Sequence, residues 1–331
     1  MDFDTCKLYG IDLAGYKDIK SREDAMAMDA ALLSTPNTSI PAEVLAFFDP
    51  KAIEMLVAKR AATEIFNEVK KGDRATAYAK FRVQENTGYT QPYSDYSDNG
   101  KADVNYNFPV RQNYLFETVI KYGDLEAEES AKARIALVSD KQRSAAQVIA
   151  MDANRFYFNG VAGLENYGIL NQPNLPNAIV AANGAGGSAL WSAKTGSEIY
   201  DDIVAMMSDI ASRTEGNVDQ LTRYKLIVGP ARNAQLNKLN VFGTETVMAL
   251  IKRNFPNLDV VVAPEYDDST AKVQLIAMDV DGDVTGECAF SEKFIAGRVV
   301  PYLSHFAQKF MAGVYGAVIY RPVLVSTLTG M

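Results

Sequence analysis

Asp279, Asp281 and Asp283, in the segment MDVDGDVTGE, alternate as the oxygen ligands of a calcium loop do. The glycine and the distal glutamate that such a loop requires are out of place, so the segment reads as an Asp-Gly hairpin turn. A second candidate, AIVAANGAGGSAL, sets Gly184, Gly186 and Ala189 at the spacing of a dinucleotide-binding turn. The following LWSAKTGS places a turn where the phosphate-binding helix should run, and no acidic strand end stands in the ribose position. A Gly-rich loop is the better description. The single histidine, His305, follows Ser304 without a G-x-S-x-G elbow and has no second histidine with which to share a metal. Tyr89, Tyr93 and Tyr96 lie near Lys101 and could stack on nucleic-acid bases, but with so little positive charge around them they suit protein contact better. The expectation is a protein that is not an enzyme, with no catalytic residue, cofactor or metal site.

The totals narrow the remaining classes. At 331 residues, 48% of them hydrophobic, the chain can bury a sizeable core in one to three domains. No apolar run approaches the roughly 20 residues that cross a bilayer, and the start MDFDTCKLYG is acidic where a signal peptide is basic and then apolar. A soluble protein made in the cytosol, with no membrane partner, is expected. Cys6 and Cys288 stand at opposite ends of the chain without metal or redox spacing and read as free thiols. Of the net charge of −8, residues 195–287 carry −7, from 15 acidic and 8 basic side chains. With no basic face to grip phosphates, any contact with DNA is weak and not sequence-specific.

The elements that must position these residues follow from periodicity. Residues 1–73 are a polar arm with one helix signal: Asp49 as cap, Pro50 at the first position, and Ile53, Leu56, Val57 and Ala61 on one face. This is either a surface helix with a frayed leader or an arm that lies on a neighbouring subunit. From Arg74 the period changes to two. Ala75, Ala77, Ala79, Phe81 and Val83 alternate with Arg74, Thr76, Tyr78, Lys80 and Arg82, and alternation resumes at Val104, Tyr106, Phe108 and Val110 after a polar tip. This predicts a long hairpin within 74–123, either packed on its own core or reaching across to another molecule. An isolated hairpin is only marginally stable.

Residues 124–159 contain no Gly or Pro. One helix of that length would run about 54 Å, longer than the roughly 50 Å breadth of a globule of this size. It predicts a flat or elongated subunit. Its stripe is Ala127, Ala131, Ile135, Val138, Ala145, Ile149, Ala153 and Phe156, interrupted by Gln142. The small residues suit close approach to a sheet better than a coiled-coil seam. Residues 195–287 then alternate helix and strand, opening on the capping box Thr195/Glu198 before Ile199, Ile203, Met206 and Ile210. They predict a small α/β subdomain with its own core. The C-terminal stretch through 331 returns to apolar strand sequence, expected to close a sheet near the long helix.

The helix exit Phe158, Asn159, Gly160, leading to Gly168, Ile169, Leu170, Asn171 and Pro173, resembles the end of the spine helix in the major capsid proteins of tailed bacteriophages. Tyr320, Arg321, Pro322 and Val323 resemble the Arg-Pro pair after an apolar strand in the same family, whose Hong Kong ninety-seven-like fold is shared with encapsulin shells. The resemblance implies an α+β fold with an N-terminal arm (1–73), an extended hairpin loop over an adjacent subunit (74–123), a spine helix with a peripheral domain (124–194 and 288–331), and an axial domain (195–287). It implies self-assembly through pentamers and hexamers into an icosahedral phage head enclosing double-stranded DNA, with portal, separate scaffolding and decoration proteins as partners. Assembly would occur in the host cytoplasm. Tyr89, Tyr93, Tyr96, Lys101, Arg74, Arg82 and Arg321 are the expected inter-subunit contacts. Some members of the family crosslink a loop lysine to a neighbour's asparagine; Lys101 is suitably placed, but no matching asparagine motif or carboxylate accompanies it. An encapsulin-type compartment and a cytosolic α/β enzyme are the alternatives.

Overall fold

A computed structural model describes residues 59–96, 98–240, 243–267 and 271–331. Residues 1–58 of the expected arm, with most of its helix signal at 49–61 and Cys6, lie outside them, whereas 59–73 are described and supply the helix Ala62–Ile65 and the strand Glu68–Lys70. The described chain is built on two sheets with a helix layer on each.

In the five-stranded sheet the order is Ile179–Val180, Val325–Thr329, Lys272–Ala277, Tyr224–Val228 and Leu258–Val262. Its strands are apolar on both faces because both are covered. Leu226, Val228, Leu275, Ala277 and Leu328 meet Ile199, Ile203, Met206 and Ile210 of the helix Gly196–Arg213, together with Val247 and Ile251 of the helix Val247–Asn254. The alternate residues Ile227, Val261, Ile276 and Val325 face the other way, onto Tyr157 and Phe158 at the end of the spine helix. The capping box forms as the sequence predicts: Thr195 accepts from the Glu198 amide, and Glu198 Oε2 accepts from the Thr195 amide at 2.8 Å. The Asp-Gly turn forms too. Asp279–Val280 pairs with Asp283–Val284 across Asp281 and Gly282, both at positive φ, as the mirror-image two-residue turn requires.

The four-stranded sheet has the order Glu68–Lys70, Gly286–Pro301, His305–Ile319 and Tyr114–Gly123. One face receives Ala145 and Ile149 of the spine helix against Ile120, Phe310 and Ala312. Residues after 288 thus divide between the two sheets. Gly286–Pro301 and His305–Ile319 lie beside the spine helix, whereas Val325–Thr329 crosses over and pairs with Lys272–Ala277.

The expectation of one helix over 124–159 is corrected. Two helices, Asp124–Lys132 and Leu137–Asn159, are separated by a break in which Arg134 takes φ 57°. The first helix buries no residue, so nothing holds it in line with the second. Its start is tied instead to the sheet edge by the Asp124 amide on Ser304 O, and Glu126 pairs with Lys141 at 2.6 Å. The surviving spine of 23 residues spans about 35 Å, so the length argument for an elongated subunit does not stand. The apolar stripe is real only in its second half: Ala145 and Ile149 are buried while Ile135 is exposed. Gln142 interrupts it because its Nε2 donates to Gln308 Oε1 across the sheet at 3.1 Å.

The helix exit is a backbone knot. Asn166, buried, donates from Nδ2 to Gln112 O at 3.1 Å and Val314 O at 3.0 Å. Asn171 accepts from the Gly168 amide and donates to Asn159 O, both at 2.6 Å. A Cβ at Gly168 would collide with the Phe158 carbonyl, and one at Gly316, whose φ is +79°, with the Tyr167 carbonyl.

Above the knot, Asn154 of the spine accepts from the Ala62 amide and donates to Glu265 Oε1 at 2.5 Å, joining the two layers. Burial holds the Glu265 carboxyl above the usual carboxylate range, opposed by its hydrogen bonds to its own backbone and to Asn154. A carboxyl raised in the folded state supports folding fully below its unfolded pKa, about 4.3, and loses that support as pH rises through the folded value. Glu265→Gln is therefore expected to raise the urea midpoint at neutral pH and to match the wild type at about pH 3, below both pKa values. An equal shift at both pH values would refute the charge argument.

Candidate assembly surfaces

The hairpin forms with its strands shifted toward the tip: residues 74–77 are not strand, and the expected tip contributes residues 86–89 and 101–103 to the pairing. Val83–Tyr89 pairs antiparallel with Lys101–Asn107, from Val83 opposite Asn107 to Tyr89 opposite Lys101. Its root continues in Tyr78–Lys80 against Val110–Gln112. Phe81 seats the root on the four-stranded sheet among Ala289, Tyr315 and Val318, and the Tyr315 hydroxyl donates to Thr76 O at 3.1 Å. Among the described residues from Val83 to Phe108 none is buried. Both faces of a two-stranded ribbon are therefore open, an arrangement marginal on its own.

The expected contact residues fall in three places. Tyr89 and Lys101 pair across the end of the ribbon. Tyr93 and Tyr96, on the tip beyond them, are 91% and 100% exposed, and the Tyr93 hydroxyl donates to Asp95 at 2.6 Å. Arg82 and Arg321 line one cleft at the hairpin root together with Tyr320. Arg82 lies over the Tyr106 ring at 5.8 Å, while Arg321 is committed within its own chain, donating to Val280 O at 2.7 Å and Asp283 at 2.6 Å. Arg74 stands apart from both groups, its Nη1 3.7 Å from the Met311 sulfur.

Other exposed features were not singled out from the sequence. Lys70, Lys71 and Lys80 extend the root cleft. Lys80 was legible, because the alternation already set it on the face of Arg82 and opposite Phe81. At the far end of the four-stranded sheet, the turn between its two longest strands presents Tyr302 and a fully exposed Leu303, with Tyr302 stacked on His305 at 4.7 Å. On the sheet face away from the spine, Leu115 and Val119 are nearly half exposed.

Burial pushes the Cys288 thiol and the Tyr157 and Tyr266 phenols up, keeping them protonated. Among the described residues no three His, Cys, Asp or Glu side chains converge as metal ligands, and no helix is long and apolar enough to cross a membrane.

The sequence model of the Pa193 gp26 major capsid protein matches residues 31–330. The chain belongs to that major capsid protein family. Among solved structures, this capsid protein has the fold of the capsid of Myoviridae Phage XM1, with a TM-score of 0.69 at 14% identity over 88% of this chain and 99% of that one. It is also similar to the capsid of the native GTA particle (TM-score 0.63, 12% identity, 89% and 99% covered) and to Mycobacterium phage Cain (TM-score 0.51, 11% identity, 88% and 98% covered). No curated protein sequence matches the chain. The α+β, Hong Kong ninety-seven-like fold implied by the resemblance is the fold observed. This major capsid protein is a structural component of an icosahedral phage head, located in the virion and assembling with itself into capsid oligomers. The encapsulin and enzyme alternatives are not favoured.

Proposed function

We propose that the subunit assembles through pentamers and hexamers into a head that encloses double-stranded DNA, with residues 74–123 laid over an adjacent subunit. The ribbon Val83–Tyr89/Lys101–Asn107 supports this reading most directly, since it is an ordered pair of strands with neither face covered by its own chain. A second copy would supply the missing layer and bury Tyr89, Tyr106 and Phe108, each about half exposed. In this reading residues 1–73 are an arm whose end, Glu68–Lys70, joins the four-stranded sheet, 124–194 and 288–331 are the peripheral part apart from Ile179–Val180 and Val325–Thr329, and 195–287 with those two strands is an axial part meeting at fivefold and sixfold axes. Tyr89, Tyr93, Tyr96, Lys101, Arg74, Arg82 and Arg321 contact neighbours, and Arg321 also fixes the 279–284 turn of its own chain. The role is mechanical rather than catalytic. Contact with packaged DNA is weak and non-specific, and portal, separate scaffolding and decoration proteins are partners of the shell, which assembles in the host cytoplasm.

Electron microscopy of the purified chain tests the reading. Closed shells, tubes or sheets are expected; discrete small oligomers under every condition tried would overturn it.

A further inference from the structure

Two adjoining cavities, of about 610 and 600 Å³, open at the hairpin root and share Arg82 and Tyr320 in their walls. Each is of the size that accommodates a drug-sized ligand or a few side chains. Lys70 is balanced by Glu292 at 2.8 Å, Lys71 by Glu287 at 2.9 Å, and Arg321 by Asp283. Lys80 and Arg82 have no carboxylate partner among the described residues, so the cleft carries two surplus cations.

The hairpin tip is the complement of this cleft. Residues 89–103 hold Asp95, Asp98 and Asp103 against Lys101 alone, and none of these carboxylates has an ion-pair partner among the described residues. Tyr93 and Tyr96 project from the same tip without a pocket of their own. Seven paired residues in each strand hold tip and root about 23 Å apart, so a copy cannot fill its own cleft. We propose that the tip of one copy seats in the root cleft of the next, Asp95 and Asp98 meeting Lys80 and Arg82 while a tip tyrosine enters the cavity beside Tyr320. The inference rests on the reading of the hairpin as the inter-subunit loop. A contact in which one patch meets a different patch on the next copy is head-to-tail, and such contacts close rings when the rotation divides evenly.

Charge reversal tests the seat on the full chain. Lys80→Glu/Arg82→Glu and Asp95→Lys/Asp98→Lys should each lower the yield of closed shells at low salt by about tenfold, with unchanged urea midpoints of the unassembled subunits, and the four changes together should restore most of it. Reversals that assemble like the wild type, or a combined variant no better than either pair, would overturn the seat. If a chain lacking the hairpin fails to assemble while both reversals assemble normally, the seat is wrong and the inter-subunit reading of the hairpin stands. If the chain lacking the hairpin closes shells, both fall. Intact Lys80→Glu/Arg82→Glu shells with reduced DNA content would assign the cleft to nucleic acid and also overturn the seat.

Discussion

Deleting Asn86–Asp103 is expected to leave a folded, soluble subunit that closes no stable shell. The deletion joins Glu85 to Val104 and removes only residues that contribute no member to any buried cluster. The root stays anchored, because Phe81, Tyr315 and the pairing of Tyr78–Lys80 with Val110–Gln112 are untouched. Loss of exposed ribbon should therefore change subunit stability by no more than about 0.5 kcal/mol. Assembly should respond quite differently. A ribbon that buries its two faces on a neighbour contributes apolar area at about 25 cal/mol per Å², and every copy in a closed shell repeats the contact. Urea denaturation of the unassembled subunit, followed by electron microscopy under assembly conditions, separates the two effects. Global unfolding of the deleted chain would show that the hairpin belongs to the subunit's own core.

The largest loss of subunit stability is expected from Asp202→Ala. Lys194 is buried, and its ammonium has one ionic partner among the described residues, Asp202 Oδ2 at 2.5 Å; the same oxygen accepts from Trp191 Nε1 at 2.9 Å. Removing the carboxylate strands a buried cation and an indole N–H together. Breaking a buried pair in this way costs about 3–5 kcal/mol, a large fraction of the roughly 5–15 kcal/mol that holds a domain folded. The damage should centre on the five-stranded sheet, because Trp191 packs in the core beneath it. Lys238 holds the same turn, donating to the carbonyls of Trp191, Ser192 and Lys194. The double replacement Lys194→Met/Asp202→Leu removes both charges and should recover most of the loss, since a buried pair is often worth little more than apolar side chains of similar volume. Equilibrium denaturation of the wild type, Asp202→Ala and the double replacement checks it. A drop below about 1 kcal/mol for Asp202→Ala would mean that water reaches Lys194.

Much of the fold was legible where its cause is local. The capping box needs only Thr195 and Glu198, three residues apart, and the helix that follows buries the four residues its spacing predicts. The strands at 224–228 and 258–262 announce themselves as short apolar runs, and the Asp-Gly turn sets its own backbone. The existence of the hairpin is legible for the same reason, since its two strands lie close in sequence, whereas the pairing of Val83 with Asn107 is set by the fold. The Asn159, Gly168 and Asn171 signature was legible as a resemblance, and its physical content is the crowding of the Phe158 carbonyl against Gly168.

Features that depend on distant partners were not legible. The break at Ala133–Ala136 has no Gly or Pro to mark it; the helix turns because its first nine residues have nothing to pack against and its start is tethered to Ser304. The tie of Arg321 to Val280 and Asp283, some forty positions away, is set only by the fold. Lys194 and Asp202 are unremarkable as letters and become a buried pair only when the helix Gly196–Arg213 closes over Trp191.

Periodicity, capping and turn chemistry act over a few residues, so the chain's order of hairpin, helix and α/β subdomain was fixed by its letters. Burial and charge pairing depend on which elements meet. The crossing of the last strand into the five-stranded sheet, the uncovered faces of the hairpin and the surplus charge at its root are therefore properties of the folded chain alone, because the energies that set them act between residues tens to hundreds of positions apart.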